Sequence, residues 1–270
     1  MKLILMGTPD FVVPIFDKIA SRHEIIAVFT RAPKSAGRKK IITKTPVHIW
    51  AENKNIPVFT NINKLATHEP RITPPDYILV AAYGVILKRE VLDVAPCLNI
   101  HPSMLPKYRG ASPITSAILN GDAETGVCLM NMAPEVDAGD ILMRENFPIG
   151  ENDRAADVEK KVSEIAGDMA IRYLDAPEKF PSAPQVGEPT FTRKITTDDM
   201  VIDWKKTPRE IHNLVRAIGG RTTINGIDVK IIKTKIEDGK LKIETVRPAG
   251  KKEMAWADFM NGQRGKCDIN

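Results

Sequence analysis

Short apolar runs alternate with helical patterns from the first residues of the chain, and this alternation constrains the fold more than any other feature. Lys2-Leu-Ile-Leu-Met6 is closed by Gly7-Thr8-Pro9-Asp10, after which apolar residues recur at helical spacing from Phe11 to Ala20. Glu24 to Thr30 and Ile56 to Phe59 are two further strand-like runs, separated by the amphipathic stretch Val47 to Lys54. The decisive run is Tyr77-Ile-Leu-Val-Ala-Ala82. It carries no charged residue, as a parallel strand buried on both faces requires. Cys97 to Ile100 repeats that signature after the helix-like Lys88 to Val94. Strands alternating with helices predict an α/β fold, a doubly wound and mostly parallel sheet.

The layout is Rossmann-like, yet Gly7-Thr8-Pro9 follows neither GxGxxG nor GxxxxGK[ST], so a dinucleotide or P-loop role is not expected. Gly126 to Met132 and Ile141 to Arg144 read as two more strands around the polar loop Pro134 to Asp140. Residues 153 to 174 carry Val158, Val162, Ile165, Met169 and Tyr173 at helical spacing. Pro177, Pro181, Pro184 and Pro189 mark the sharpest change of composition. The expected organisation is therefore a catalytic domain over 1–175, a linker over 176–192 and a small domain over 193–270. Within the last, Pro208 to Ile218 is helical in pattern. Thr222 to Thr234 and Lys240 to Val246 alternate polar and apolar residues around Asn225-Gly226 and Asp238-Gly239, both hairpin signals.

A chain of 270 residues can bury a large core without staples. Cys97, Cys128 and Cys267 form no CxxC pair and read as reduced, mostly buried thiols, with no metal site. No apolar run approaches about 18 residues, so a cytoplasmic protein without a membrane partner is expected. The net charge of +5 is unevenly spread. Residues 1–192 carry 22 Lys and Arg against 23 Asp and Glu, whereas residues 193–270 carry 17 against 11. A second basic cluster, Arg31, Lys34, Arg38, Lys39, Lys40 and Lys44, holds no acidic residue. Two basic clusters on a near-neutral body point to a polyanionic partner, or to solvated charge runs.

Of the five histidines, His23, His48, His68 and His212 stand among residues that suggest no chemistry, and surface or capping roles are expected for them. His101 lies in Asn99-Ile-His-Pro-Ser-Met-Leu-Pro106, at the carboxyl end of a predicted parallel strand, where open α/β sheets place ligands. The two-residue period of a strand puts Asn99 and His101 on one face. An amide beside an imidazole can donate to an oxyanion and move a proton. The same two residues can equally bond loop backbone, and the spacing does not choose.

Six stretches around and beyond this segment carry a family pattern: LILMGTPDF (3–11), AGRKK (36–40), AAYGVIL (81–87), NIHPSMLPKYRGASPI (99–114), GDAETGV (121–127) and EVDAGDIL (135–142). With IDWKKTPREIHNLVRA (202–217) and RPAGKKEMAWADFMNG (247–262), the chain resembles the 10-formyltetrahydrofolate-dependent formyltransferases over nearly its whole length, and most closely those that formylate methionyl-tRNA. The NxHPSxLPxxRG and xVDxGD blocks are specific to the superfamily but do not name the acceptor.

The resemblance implies Asn99, His101 and Asp137 as the catalytic trio. Asn99 and a charged His101 would stabilise the oxyanion of a tetrahedral carbon, and Asp137 would orient the imidazole and help remove the proton of the attacking amine. Spacing alone leaves Asp137 an ordinary turn aspartate. The resemblance also implies a pocket for the formyl donor, 10-formyltetrahydrofolate, made by Tyr83, Gly84, Val85, Ile86, Leu87, Ser103, Leu105, Pro106, Glu135 and Val136. Core packing is the other reading of Ile86 and Leu87. No GxSxG elbow surrounds Ser103, so a serine nucleophile is not expected. Lys34, Arg38, Lys39 and Lys40 fall where the family's tRNA-binding loop lies, which implies initiator methionyl-tRNA as acceptor and a monomeric enzyme of translation initiation. The C-terminal part is shorter than the family's oligonucleotide-binding barrel, so a reduced barrel is expected. Arg216-Ala-Ile-Gly-Gly220 replaces the family's aromatic and proline-rich turn. The alternative acceptor is a small amine, such as a sugar nucleotide or glycinamide ribonucleotide.

Overall fold

A computed structural model of the chain describes residues 1–36, 41–67 and 72–263, which cluster into two compact units. The first comprises Met1–Ala111, Gly126–Asn146 and Glu159–Phe191. The second comprises Ser112–Thr125, Phe147–Val158 and the residues from Thr192 onward. This division differs from one cut along the chain at 175 and 193, because two earlier segments pack with the C-terminal residues.

The elements of the first stretch are β1 (Lys2–Gly7), α1 (Val13–Ala20), β2 (Glu24–Phe29), the short strands β3 (Lys34–Ala36) and β4 (Ile41–Thr43), α2 (Pro46–Asn53), β5 (Val58–Phe59) and α3 (Asn63–Ala66). They are followed by β6 (Tyr77–Ala81), α4 (Arg89–Leu92), β7 (Cys97–His101), β8 (Arg109–Gly110), α5 (Pro113–Asn120), β9 (Glu124–Asn131), β10 (Ile141–Pro148), α6 (Ala155–Asp175) and β11 (Phe191–Thr192). The main sheet runs β10-β9-β7-β6-β1-β2-β5. β5, β2, β1, β6 and β7 are mutually parallel and β9 is antiparallel to β7. Chain order reverses between β1 and β6, so the carboxyl ends of the parallel strands open one edge to a ligand. Leu3, Ile4, Leu5 and Met6 of β1 and Ile78 and Leu79 of β6 are fully buried, which the uninterrupted apolar runs anticipate. Burying each such side chain is worth roughly 1.5–3 kcal/mol.

Local signals set the helices. Thr45 caps α2 by accepting from the His48 N–H at 3.1 Å, with Pro46 in the first turn. Trp50 on α2 donates to Asp17 on α1 at 3.1 Å, and Lys54 lies 2.8 Å from the same carboxylate. Hydrogen bonds from Lys54 and Trp50 hold Asp17 below the usual carboxylate range. Burial pushes the Cys97 and Cys128 thiols up, to about 12 and about 11, so both are inert. The proline-rich segment is not a loose tether. Ala183 exchanges two backbone hydrogen bonds with Ile141, at 2.8 and 2.9 Å. Prolines there keep the backbone extended rather than free.

In the second unit, α7 (Pro208–Ile218) precedes four antiparallel strands, β12 (Gly220–Ile224), β13 (Ile227–Glu237), β14 (Lys240–Pro248) and β15 (Met254–Ala255), and then α8 (Trp256–Gly262). Thr207 and Glu210 form a reciprocal cap at the start of α7. Asn225-Gly226 and Asp238-Gly239 all take positive φ, the two-residue turn geometry that joins β12 to β13 and β13 to β14. Ile211, Val215, Ile224, Val229, Ile231, Val246 and Phe259 form the core. The sheet order is β12-β13-β14-β15, with no pairing from β15 back to β12 among the described residues. The expected reduced barrel is thus an open antiparallel sheet, because too few strands are present to close it.

His212 corrects the expectation of a surface histidine, since it is 1% exposed. Its Nε2 lies 3.1 Å from the Glu151 carbonyl and its Nδ1 2.9 Å from the Thr234 hydroxyl. A nitrogen facing a carbonyl must carry the proton, so Nδ1 accepts from Thr234. Arg216 is also buried and donates from Nη1 to the Gly150 and Asp153 carbonyls at 3.2 and 3.1 Å. These bonds tie residues 150–153 to α7. Burial, reinforced by the Arg216 and Arg209 charges, pushes the His212 pKa below its ordinary value. The unfolded chain therefore binds a proton near pH 6.5 that the folded unit resists, and stability falls as pH drops below that point. His212→Gln in the full chain should flatten the loss of urea stability between about pH 6.5 and 5. An unaltered slope would assign the acid sensitivity elsewhere.

Candidate active site

The carboxyl end of β7 delivers Asn99 and His101 to one crevice, as their two-residue spacing anticipates. Two loops complete it. The segment after β7 turns through Tyr108, Arg109 and Gly110, and the turn between β9 and β10 brings in Asp137. Asn99 Nδ2 donates to Asp137 Oδ1 at 3.2 Å, and the Gly110 N–H donates to Oδ2 at 2.7 Å. His101 Nδ1 lies 3.5 Å from the same Oδ2. His101 Nε2 lies 2.9 Å from the Tyr108 carbonyl. Side chains up to 38 residues apart in sequence thus converge on one carboxylate.

The geometry departs from expectation at the imidazole. His101 is enclosed, at 4% exposure, with both nitrogens facing protein acceptors, while the Asp137 side chain is 14% exposed and Asn99 is half-buried. In this arrangement the ring offers no N–H to a substrate oxygen. Burial pushes the His101 pKa down, against the opposing pull of the Asp137 charge and the Tyr108 carbonyl.

Asp137 adopts a positive φ of 50°, unfavourable for a residue with a side chain. Gly139 explains how the turn fits, because a Cβ there would stand 1.9 Å from the Asn131 carbonyl oxygen. Only glycine lets the two backbones approach so closely.

The residues expected around the formyl donor divide into two groups. Gly84, Val85, Ile86, Glu135 and Val136 are exposed, with Ile86 at 78%. Tyr83 and Leu87 belong to the core, as does Leu105, and Pro106 is half-buried. Ser103 is fully buried and donates to the Lys107 carbonyl at 2.6 Å, so its hydroxyl is not a free nucleophile. The side chains of Tyr83, Leu87, Ser103 and Leu105 are therefore supports rather than walls. Thr8 donates to the Tyr83 carbonyl at 3.0 Å and Arg31 donates to the Gly84 carbonyl, which anchors this loop to the ends of β1 and β2. Neither anchor has a signal in the sequence, because each acts on main-chain oxygen. Lys34 is exposed on β3, opposite Thr43 of β4. Arg38, Lys39, Lys40 and His68 lie outside the described residues. Among the described residues, no group of three His, Cys, Asp or Glu side chains comes together as a metal site, and no helix is long and apolar enough to cross a membrane.

A doubly wound sheet with an amide, an imidazole and a carboxylate gathered at its open edge places the chain among α/β proteins with groups suited to acid–base chemistry. Residues 1–174 match the formyl transferase family, and residues 194–240 match the formyl transferase C-terminal domain. Methionyl-tRNA formyltransferases of Fusobacterium nucleatum and Gluconobacter oxydans are 33% and 36% identical to this chain, each over 97% of both sequences. Among solved structures, a methionyl-tRNA formyltransferase from Clostridium thermocellum shares the fold at a TM-score of 0.67 and 18% identity, covering 92% of this chain and 98% of its own. A sugar 3N-formyl transferase does so at 0.68 and 21%, over 93% and 99%. The chain belongs to the formyl transferase family, on its methionyl-tRNA formyltransferase branch.

The close approach at Gly139 is directly testable. Gly139→Ala should cost about 1–3 kcal/mol, the scale of overpacking a tight site, read by chemical denaturation. A variant as stable as the parent would mean that the Asp137 turn is free to shift.

Proposed function

We propose that this protein transfers the formyl group of 10-formyltetrahydrofolate to the amino group of initiator methionyl-tRNA. The observation that carries this reading is the match along almost the full chain, C-terminal unit included, to proteins named methionyl-tRNA formyltransferase. The exposed loop from Gly84 to Ile86 fits the donor, since it offers main-chain hydrogen-bonding groups beside apolar side chains, the combination a flat, amide-edged ring system needs.

Bound formylfolate supplies the one-carbon unit. The chain's own residues then handle charge and protons. Asn99 Nδ2 carries two hydrogens and gives one to Asp137, which leaves the second for an oxygen that gains negative charge as the carbonyl carbon becomes four-bonded. Asp137 accepts a proton from the attacking nitrogen, and His101 behind it balances the charge of the carboxylate as that proton moves. In the overall exchange one carbon–nitrogen bond forms, another breaks, and the proton lost by the amine ends on the departing folate nitrogen. No covalent bond to the protein is required.

Purified protein incubated with formylfolate and methionyl-tRNA should yield formylmethionyl-tRNA, with a sugar amine run beside it as the competing acceptor. Asn99→Ala, His101→Ala and Asp137→Ala should each lower turnover about 100-fold or more, the scale of losing an oxyanion donor or proton-transfer group. No product from an active folate sample, or near-normal rates in all three variants, would overturn the reading.

The second unit supports a polyanionic acceptor. Arg221 on β12, Lys230 on β13 and Arg247 on β14 stand directly opposite one another across three strands. Like charges in that position are destabilising, and within the chain Glu253, 3.7 Å from Arg247, offsets part of the row, so a phosphate would relieve the rest. Burial, then Arg247, Arg154 and Arg221, pushes the Lys230 pKa down, with Glu253 opposing. Replacing Arg221 and Arg247 together by Ala should raise the KM for tRNA. It should also reduce the slope of log affinity against log salt by about one for each phosphate that the missing cations would have neutralised, without changing the KM for folate. An unaltered salt slope would remove this face from the tRNA site.

A further inference from the structure

The geometry points to Gln185, in the segment that composition marks as a linker, as the positioning residue that holds Asp137 in its working conformation. Gln185 Nε2 donates to the Asp137 carbonyl and to the Gly139 carbonyl, both at 2.8 Å. Its Oε1 accepts from Arg109 Nε at 3.1 Å and from Arg109 Nη2 at 2.7 Å. Two donated and two accepted bonds use the full capacity of a carboxamide. The orientation of the amide is settled by the same partners, because a flipped group would set its oxygen against two carbonyls and its NH2 against a guanidinium.

This amide bridges the part of the turn least able to hold itself. Asp137 carries a positive φ, and such a conformation persists only where the surroundings over-determine it. The same segment grips the opposite loop. Thr190 Oγ1 accepts from the Tyr108 N–H at 2.8 Å, the Thr190 carbonyl accepts from the Arg109 N–H at 2.8 Å, and the Thr190 N–H donates to the Pro106 carbonyl at 3.2 Å. Residues 183–190 are therefore a strap across both loops of the site. Arg109 links them, sitting between Tyr108, whose carbonyl faces His101, and Gly110, whose N–H binds the Asp137 carboxylate. Releasing the Gln185 amide frees the Asp137 backbone while leaving every group that meets substrate in the chain. A displacement of about 1 Å in such a group is enough to cost up to about 100-fold in rate.

The inference rests on the proton-transfer role proposed for Asp137, and a double-mutant cycle tests it on the full-length protein. Gln185→Ala should lower kcat by about 10-fold or more, with the KM for methionyl-tRNA changed less than about twofold. In an Asp137→Ala background the same substitution should cost less than about twofold, since there is no carboxylate left to position. Gln185→Glu keeps an acceptor for Arg109 but turns a carboxylate on two carbonyls, and should be at least as slow as Gln185→Ala. An equal factor in both backgrounds, an unchanged kcat, or a Gln185→Glu variant with parental kcat would overturn the proposal. Should Gln185→Ala not fold, Arg109→Ala carries the same cycle, because it removes the brace behind the amide and leaves the amide in place. A readout without turnover separates this proposal from the function itself. The ring signals of His101, followed by NMR against pH in the free protein, should shift their midpoint in Gln185→Ala in the direction seen for Asp137→Ala. A midpoint equal to the parent's would overturn the positioning role. If Gln185→Ala shows this shift but the parent transfers no formyl group, the proposed function alone would be overturned.

Discussion

A carboxylate held in an unfavourable backbone conformation is the constraint around which the candidate site is built. Holding Asp137 at positive φ costs roughly 1–3 kcal/mol, and that conformation lets its two oxygens meet Asn99, Gly110 and His101 at once. The turn can be this tight because Gly139 has no side chain to strike the Asn131 carbonyl. The imidazole is enclosed as well. With Tyr108 on one nitrogen and Asp137 near the other, His101 has only acceptors for neighbours, and burial supplies the opposing pressure against its charge.

What is legible in the sequence divides along physical lines. Long apolar strands declare themselves: β1, β6 and β7 lie where continuous runs predict them, and Asn-Gly and Asp-Gly mark both hairpins of the second unit. Asn99 and His101 share a crevice because strand period is two. Asp137 is different, since a turn aspartate before Ala-Gly has no periodicity to read, and only the family resemblance singles it out. The roles of Tyr108, Gly110 and Gln185 are not legible, although Gly110 closes the NxHPSxLPxxRG block. The first two act through backbone atoms, which every residue possesses, and Gln185 acts across 48 residues from a stretch whose prolines suggest a spacer. The short strands β3 and β4 stay hidden for another reason. Ile41 and Ile42 are both exposed, so no buried face imposes alternation.

The second unit shows the opposite error, a signal present but discounted. Along α7, His212 and Arg216 lie one residue after Ile211 and Val215, within the stripe that faces the core. A polar residue in an apolar stripe must find partners or unfold the helix end it occupies. Here the partners are carbonyls of residues 150, 151 and 153, so an imidazole and a guanidinium tie to α7 a stretch of chain that also buries Phe147, Ile149 and Val158. Residues 147–158 and α7 fall in the same compact unit.

The placement of charge around Asp137 follows a similar logic. An arginine set directly on a carboxylate favours its charged form. Arg109 is one residue from Gly110, close enough in the chain to serve that way, yet its Nε and Nη2 are committed to the neutral oxygen of Gln185. The amide relays the restraint to the Asp137 turn as two ordinary hydrogen bonds. Asn99 and the Gly110 N–H, the nearest donors to the carboxylate itself, are likewise uncharged. The neutral glutamine thus carries the hold of a guanidinium into two main-chain hydrogen bonds at the turn.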